Sequence, residues 1–294
     1  MSKRSYNARA VVTGAGSGIG RSFAIELARR GGSVLCADID VERAEETVQM
    51  IEQDGRQAWA IECDVSKSDD MRELGRRARE LFEGPVSLMI NNAGVGIGGR
   101  PVGEIGEDDW RWALGINLWG MVYGSEVFLP QLKENGAGGL INVASTAAFA
   151  AAPQMAAYNV GKAGVLSLSE TIAAELSGSP IAVTVLCPTF VKTNVAVDGR
   201  ITAAGSKLAS ELMRRTGFHP DRVARLTLDA NDRGRLYVLP QLDAKAIWLM
   251  KRLAPRTYAL GAGLLNRLLD GADGSETAAE SEKTDGSQSV SAPS

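Results

Sequence analysis

Short apolar runs alternate with longer helical patterns along most of this chain, and this alternation constrains its fold more than any other feature. The runs typical of buried strands cover residues 10–12, 33–37, 58–61, 86–90, 140–143, 181–186 and 235–239. The helical patterns cover residues 20–30, 41–53, 68–83, 107–133, 158–176 and 221–229. Near-continuous apolar strands that alternate with helices predict a parallel sheet covered on both faces. Right-handed crossovers then give a doubly wound α/β fold of about seven strands.

The charge and cysteine content exclude several classes of protein. The chain has 32 basic and 35 acidic residues, a net charge of −3, whereas a nucleic-acid binder usually has a basic surplus. Cys36, Cys63 and Cys187 are far apart in sequence, and His219 is the only histidine. This content predicts no metal site and no disulfide scaffold. We treat His219 as structural.

The N-terminal residues show no apolar segment typical of a secretory signal. No uninterrupted apolar run approaches the roughly 18–20 residues that a membrane-spanning helix needs. We therefore expect a soluble, cytoplasmic protein.

The chain divides into three predicted parts. Residues 1–240 carry the strand–helix alternation and form the predicted α/β domain. Within it, residues 190–219 show no strand pattern, and so long a loop in a compact domain is usually a functional lid. Residues 241–270 form a predicted amphipathic helical extension. Residues 271–294 carry a net charge of −4, six serines and no aromatic residue, which predicts a disordered tail.

The predicted extension carries apolar residues at helical spacing. One stripe consists of Ala246, Leu249, Met250 and Leu253, and a second of Leu260, Leu264, Leu265 and Leu268. The basic residues Lys245, Lys251 and Arg252 lie away from the first stripe. Such stripes more often cover a core or a partner subunit, but basic amphipathic helices also lie on membrane surfaces. Both interpretations stay open for residues 245–269.

A glycine-rich turn follows the first predicted strand, and a helical pattern begins directly after it. Because glycine lacks Cβ, the chain can turn sharply there and a pyrophosphate can approach the backbone. The helix that follows presents unpaired N–H groups and the positive end of its dipole to that anion. The strand–turn–helix context predicts a dinucleotide-binding turn. The predicted contacts are Gly14, Ser17, Gly18, Ile19 and Gly20.

Asp38 ends the second predicted strand, about 20 residues beyond the turn, where a carboxylate accepts hydrogen bonds from the adenosine ribose. It would also repel the 2′-phosphate of NADP, and neither Ser17 nor Ile39 offers a cation to bind that phosphate. These observations favour NAD over NADP. The alternative is that Asp38 only caps the next helix, as Asp40 equally could.

Tyr158 and Lys162 are one helical turn apart, so the phenol and the ammonium lie on the same face. An unperturbed phenol has a pKa of about 10, and a nearby ammonium together with a positively charged nicotinamide would lower it. Tyr158 can then exchange a proton with a substrate oxygen. Ser145 follows the fifth predicted strand, where its hydroxyl can stabilise charge on that oxygen. Asn117 lies inside the predicted 107–133 helix, and as a buried amide it is either a satisfied core residue or functional.

In this order, residues 13–20 and 91–94, Asn117, Ser145 and Tyr158 with Lys162 resemble the short-chain dehydrogenase/reductase superfamily over about residues 8–240. The resemblance implies a Rossmann-type fold with Tyr158 as general acid/base. Lys162 would lower the pKa of Tyr158 and bind the nicotinamide ribose, while Ser145 polarises the substrate oxygen and Asn117 supports a water-linked relay to Lys162. Further implied cofactor residues are Asp64, Val65, Asn91, Ala93, Gly94, Val191 and Thr193. Thr189 departs from the family pattern, which usually has glycine after Pro188.

Residues 146–155 are expected to edge the substrate pocket, and apart from Gln154 they offer little hydrogen-bonding capacity. The predicted substrate contacts are Ser145, Gln154 and Tyr158. A lipophilic alcohol or ketone fits such a pocket best, although Arg200 or Lys207 in the lid can supply a cation. We therefore expect an NAD-dependent oxidoreductase acting on secondary alcohols or ketones.

The alternatives are an NADP-dependent reductase, an epimerase or dehydratase of the same fold, and a catalytically silent NAD-binding protein. The family resemblance also favours a homodimer or homotetramer formed through the helices near 107–133 and 158–176.

Overall fold

The apolar runs pair into one parallel sheet in the computed structural model, which describes residues 3–193, 199–202, 206, 210–211, 214–264 and 267. The strands are β1 (Arg9–Thr13), β2 (Ser33–Asp38), β3 (Ala58–Glu62), β4 (Leu88–Asn91), β5 (Ile97–Gly98), β6 (Gly138–Val143), β7 (Ile181–Leu186), β8 (Arg200–Ile201) and β9 (Tyr237–Val238). The helices are α1 (Gly18–Arg29), α2 (Val41–Gln53), α3 (Ser68–Leu81), α4 (Glu107–Leu114), α5 (Gly120–Glu134), α6 (Ala147–Ala150), α7 (Ala156–Glu175), α8 (Pro220–Asp232) and α9 (Leu242–Leu253). Residues 255–264 form a further helical stretch.

The main sheet has seven parallel strands in the order β3-β2-β1-β4-β6-β7-β9. Successive residues of β1 point to opposite faces: Val12 packs in a cluster with Phe23 of α1, and Val11 in a second cluster with Met71 of α3 and Phe128 of α5. Helices therefore cover both faces, which confirms the predicted doubly wound, Rossmann-type fold.

The strand order reverses direction between β1 and β4, and such a switch point opens a crevice at the carboxyl ends of the strands. β1 ends at Thr13, β2 ends at Asp38, and Ser145 follows β6. The fold thus carries the glycine-rich turn, the acidic residue and the catalytic candidates to one edge of the sheet.

Two details differ from the sequence prediction. The predicted 107–133 helix is interrupted by a π-helical turn, Gly115–Trp119, which no periodicity over five residues could reveal. The predicted lid, expected to lack strands, contains β8, which pairs in parallel with β5. Both strands have two residues and lie about a hundred positions apart, so neither gives a periodic signal. Lys207 lies outside the described residues.

The chain divides between Trp248 and Leu249, further along than the predicted boundary at residue 240. Leu249, Met250 and Leu253 of the first predicted stripe are exposed, and so are Leu260 and Leu264 of the second. These five side chains cover no core among the described residues, while a partner subunit and a membrane surface stay predictions. Leu265, Leu268 and residues 271–294 lie outside the described residues.

All three cysteines are buried and free. Among the described residues, none of the helices is long and apolar enough to cross a membrane. That part of the chain also brings no three His, Cys, Asp or Glu side chains together as metal ligands.

Candidate active site

The glycine-rich turn joins β1 to α1 at the carboxyl edge of the sheet. Gly14 and Gly18 have φ angles of 64° and 54°, in the left-handed region that favours glycine. A Cβ on Gly20 would lie 2.0 Å from the carbonyl oxygen of Gly14, so Gly20 allows the helix to pack closely against the turn. No side chain caps α1 at Ser17, and its first N–H groups therefore remain available to an anion.

Asp38 lies beside this turn. One carboxylate oxygen accepts a hydrogen bond from the Gly16 N–H at 2.8 Å, and the other accepts one from the Asp40 N–H at 3.1 Å. Asp40, not Asp38, caps α2, since its side chain accepts from the Arg43 N–H. The capping alternative for Asp38 is therefore wrong, and its carboxylate lines the cavity described below.

Arg43 is a cation that the sequence analysis did not consider. Its Nε lies 3.0 Å from an Asp40 carboxylate oxygen, and the residue lines the cavity next to Asp38. The expectation that no cation binds a 2′-phosphate rests on Ser17 and Ile39 alone, the positions directly beside the turn and the strand end. Arg43 was missed because it is one turn into α2.

The side chain of Asn92, rather than that of Asn91, faces the cavity. Asn92 donates from Nδ2 to the Thr13 carbonyl oxygen at 2.8 Å, which ties the ends of β1 and β4 together. Asn91 is buried, and its Nδ2 donates to Asn142 Oδ1 at 2.9 Å inside the core. The prediction that Asn91 lines the cofactor trough is thus corrected. Successive residues at a strand end point in opposite directions, so only one of the two side chains can do so.

Ser145, Tyr158 and Lys162 meet at the end of β6. Ser145 follows that strand, and its side chain is hydrogen-bonded to Tyr158. Lys162 is 3% exposed, and its Nζ donates to the carbonyl oxygen of Val143 at 3.0 Å. The same Nζ lies 5.8 Å from the centre of the Tyr158 ring. The structure therefore brings the predicted hydroxyl, phenol and ammonium together.

Asn117 lies next to this group but behind the cavity wall. Its amide is fully buried and pairs twice with Val95, accepting from the N–H at 3.1 Å and donating to the carbonyl at 2.9 Å. A Cβ on Gly94 would lie 2.9 Å from Asn117 Oδ1 and 3.1 Å from Lys162 Nζ. The Asn117 side chain is thus a satisfied core amide that supports the Gly94–Val95 loop, and a relay through this residue stays a prediction.

Burial is the largest influence on the pKa values of Tyr158 and Lys162. It raises the pKa of Tyr158 above its ordinary value, although the hydrogen bond with Ser145 acts in the opposite direction. Burial also lowers the pKa of Lys162 to about 8, with the Cys187 thiol opposing it. The expectation that the Tyr158 pKa is lowered is therefore not met by the chain's own groups. The nearby ammonium favours the phenolate, but the loss of hydration of both side chains outweighs it.

Thr189 occupies the position where glycine is usual without a positive φ angle. Its N–H donates to Gln241 Oε1 at 3.2 Å, and its hydroxyl donates to Asp243 Oδ1 at 3.2 Å. The segment after β7 is thereby attached to the start of α9. Val191 and Thr193, further along this segment, line the cavity as predicted.

These groups line one cavity of about 510 Å³. The predicted site residues that line it are Gly14, Ser17, Gly18, Ile19, Asp38, Asp64, Val65, Ala93, Gly94, Ser145, Tyr158, Lys162, Val191 and Thr193. Gly20, Asn91 and Asn117 do not line it. Gln154 instead lines a small separate cavity with Met155, so its predicted substrate contact is corrected.

The substrate side of the cavity is apolar, but its wall comes from a different segment than predicted. Of residues 145–155, only Ser145 lines the cavity. Val95, Trp112 and Ile116 contribute apolar surface instead, and Trp112 packs in the same cluster as Tyr158. Trp112 and Ile116 lie before and inside the π-helical turn, too far from Tyr158 in sequence for spacing to indicate contact.

A nicotinamide dinucleotide fits these residues. The uncapped start of α1 can hold a pyrophosphate, Asp38 can hold a ribose, and the absence of a Cβ at Gly94 keeps space open beside Lys162. The site joins these binding groups to a phenol, a hydroxyl and an ammonium.

Comparison with known proteins agrees with this architecture. Residues 8–203 match the short chain dehydrogenase family. The chain is 30% identical over 263 residues to the Mycobacterium bovis protein named "Probable oxidoreductase EphD", covering 86% of this chain and 44% of that protein, so it spans less than half of this relative. It is 32% identical over 193 residues to the cyclohexanol dehydrogenase of an Acinetobacter species, covering 66% and 76% of the two chains.

Among solved structures, a short chain dehydrogenase/reductase from Burkholderia phymatum in complex with NAD superimposes with a TM-score of 0.80. The two are 33% identical, and the match covers 89% of this chain and 97% of the other. The chain belongs to the short-chain dehydrogenase/reductase family of oxidoreductases.

Proposed function

We propose that this chain is an NAD-dependent dehydrogenase that transfers a hydride between the cofactor and a lipophilic secondary alcohol or its ketone. The observation that carries the proposal is that Ser145, Tyr158 and Lys162 line the same cavity as the glycine-rich turn and Asp38. A dinucleotide held by the turn therefore reaches a group that exchanges protons.

Each catalytic side chain has a distinct task. Tyr158 takes the hydroxyl proton during alcohol oxidation and returns it during ketone reduction. Ser145 donates a hydrogen bond to the same substrate oxygen and limits the charge that develops on it. Lys162 stabilises the Tyr158 phenolate by its charge and holds the nicotinamide ribose. When bound, the nicotinamide ring accepts or donates the hydride.

The preference for NAD rests on Asp38. From the described residues, each oxygen of its carboxylate accepts one backbone hydrogen bond, which leaves acceptor capacity for ribose hydroxyls, and its charge repels a 2′-phosphate. NAD in the Burkholderia relative supports this choice. NADP use is the second candidate, because Arg43 also lines the cavity near Asp38 and could neutralise a phosphate.

The apolar wall formed by Val95, Trp112 and Ile116 supports a lipophilic substrate, because apolar pockets bind by burial and exclude ions. The relative named for cyclohexanol supports the same class. Epimerisation or dehydration would use the same fold. A silent NAD-binding protein would not need the proton-exchanging groups that are assembled here.

The test is turnover of the purified chain with NAD and a panel of aliphatic, cyclic, aromatic and steroid alcohols, followed at the nicotinamide absorbance. We expect reduced cofactor with at least one secondary alcohol and a lower rate with NADP. Tight NAD binding without turnover of any alcohol or ketone would favour the silent protein instead.

We also propose a homo-oligomer. Two large apolar side chains on the helices predicted to mediate assembly are about half exposed. They are Trp119, at the end of the π-helical turn, and Val160 of α7, and a second copy of the chain would cover them. Light scattering coupled to size-exclusion chromatography tests this proposal, and a monomer at micromolar concentration would contradict it.

A further inference from the structure

A charged cluster lies against the outer wall of the substrate cavity. The guanidinium of Arg200, in β8, stacks over the ring of Trp112 with its central carbon 4.2 Å from the ring centre. Trp112 lines the cavity and packs in the same cluster as Tyr158. A substitution at Arg200 can therefore alter the position of Trp112, and through it the surface that contacts the substrate.

Asp109 holds this guanidinium in place. It accepts a hydrogen bond from Arg200 Nη1 at 2.7 Å and another from Arg100, and its own side chain is only 16% exposed. Asp109 and Trp112 are three residues apart in α4, so they lie on the same helical face. Arg200 thus contacts both residues of this face at once.

The backbone of Arg200 is fixed as well. Its N–H donates to the Gly96 carbonyl oxygen at 2.9 Å, and β8 continues in register with β5. Next to this pairing, a Cβ on Gly99 would lie 2.0 Å from Thr202 Oγ1, so glycine at this position allows the two segments to approach. The distant strand β8 therefore meets two neighbouring segments, residues 96–99 and residues 109–112, beside one indole ring.

We propose that Arg200 is a positioning residue that, held by Asp109, fixes the Trp112 ring as a flat wall and so selects cyclic alcohols and ketones, in which the carbinol or carbonyl carbon belongs to a ring. This inference rests on the proposed function and names its substrate class. A ring can lie flat on a fixed indole and bury more area than a short acyclic chain. The cation stacked on the Trp112 ring restricts rotation of the indole.

The experiment compares KM and kcat for cyclohexanol and 2-butanol in the full-length wild type and in Arg200→Met. Methionine keeps much of the length of the side chain but loses the planar cation. We expect the KM for cyclohexanol to rise about tenfold, the KM for 2-butanol to change less than about twofold, and kcat to stay nearly constant. Asp109→Asn should show the same pattern, and Arg200→Lys should recover part of the loss.

Glu107→Gln is the matched control, because it breaks an exposed ion pair with Arg111 on the same helix but away from the cavity. It should leave both KM values unchanged. Equal KM changes for the two alcohols in Arg200→Met, or none, would overturn the proposal.

A second readout does not need turnover. Binding of cyclohexanone in the presence of NAD, a pair that cannot react because both partners are oxidised, is followed by quenching of tryptophan fluorescence, with Trp112→Phe to assign the signal. We expect the dissociation constant to rise about tenfold in Arg200→Met. An unchanged constant would overturn the inference even if the wild type oxidised no alcohol, and that lack of turnover would contradict only the proposed function.

Discussion

The two sides of the cavity are built differently. On the nucleotide side, the glycine-rich turn and Asp38 lie directly at the ends of β1 and β2, so each functional group is a few residues from the strand that places it. On the substrate side, Trp112, Ser145 and Arg200 come from α4, the end of β6 and β8. The first side depends on local geometry, and the second depends on contacts between distant segments.

The largest expected effect is the loss of kcat on substitution of Tyr158, which lies where the two sides of the cavity meet. Tyr158→Phe keeps the ring and removes the exchangeable proton, so folding and NAD binding should survive. We expect kcat to fall by about 10²–10⁴-fold, the scale of general acid/base catalysis. Steady-state kinetics measure the loss, and calorimetric titration with NAD serves as the control. Wild-type turnover in this variant would place the proton transfer elsewhere.

Lys162 serves both sides, and its replacement should separate activity from stability. Lys162→Met should lower kcat and raise the KM for NAD together. Because the folded-state pKa of Lys162 is about 8, the folded chain binds fewer protons than the unfolded chain between about pH 8 and 10.5. Stability from this group therefore rises with pH across that window and is lowest below it.

Compared with wild type, Lys162→Met should thus gain most unfolding free energy below pH 8, where the buried ammonium costs wild type up to about 3 kcal/mol. The loss of the hydrogen bond to Val143 reduces this gain. The gain should shrink towards pH 10.5. Denaturant unfolding at several pH values measures this difference. A difference that does not vary with pH would show that Lys162 is not desolvated as described.

Shortening a buried side chain on the nucleotide side should destabilise the fold far more than shortening an exposed side chain in the C-terminal helices. Leu27 in α1 is fully buried, whereas Leu253 in α9 is 76% exposed. We expect Leu27→Ala to lower the free energy of unfolding by about 2–5 kcal/mol and Leu253→Ala to change it by less than about 0.5 kcal/mol. Urea unfolding of both variants makes the comparison. A large loss at Leu253 would show that a partner covers this residue under the conditions of the assay.

The smallest expected effect concerns the choice between NAD and NADP on the nucleotide side. Asp38→Asn keeps an acceptor for the Gly16 N–H but removes the charge, so the preference for NAD over NADP should fall about tenfold or more. Arg43→Met should raise the preference for NAD if Arg43 binds the 2′-phosphate of NADP. The ratio of kcat/KM for the two cofactors measures both variants, and an unchanged ratio in Asp38→Asn would remove Asp38 from cofactor selection.

The same contrast explains what the sequence could reveal. The seven-stranded sheet, the turn and the pairing of Tyr158 with Lys162 were predictable, because strand periodicity, glycine spacing and helical spacing are local signals. The family resemblance added Ser145 to this pair. The π-helical turn, β8 and the cavity wall at Trp112 were not, because two to five residues carry no periodicity. Asn91 and Asn92 could not be told apart, since adjacent amides at a strand end differ only in the direction they face. The pKa of Tyr158 depends on burial, which one sequence cannot show.

Transfer of a labelled hydride tests the central claim most directly. The chain is mixed with NAD and a cyclic secondary alcohol that carries deuterium on the carbinol carbon, and the reduced cofactor is examined by mass spectrometry and NMR. The account predicts one deuterium on the nicotinamide ring and the matching ketone in equal amount. Reduced cofactor without deuterium, or no reduced cofactor with any secondary alcohol that binds, would contradict it.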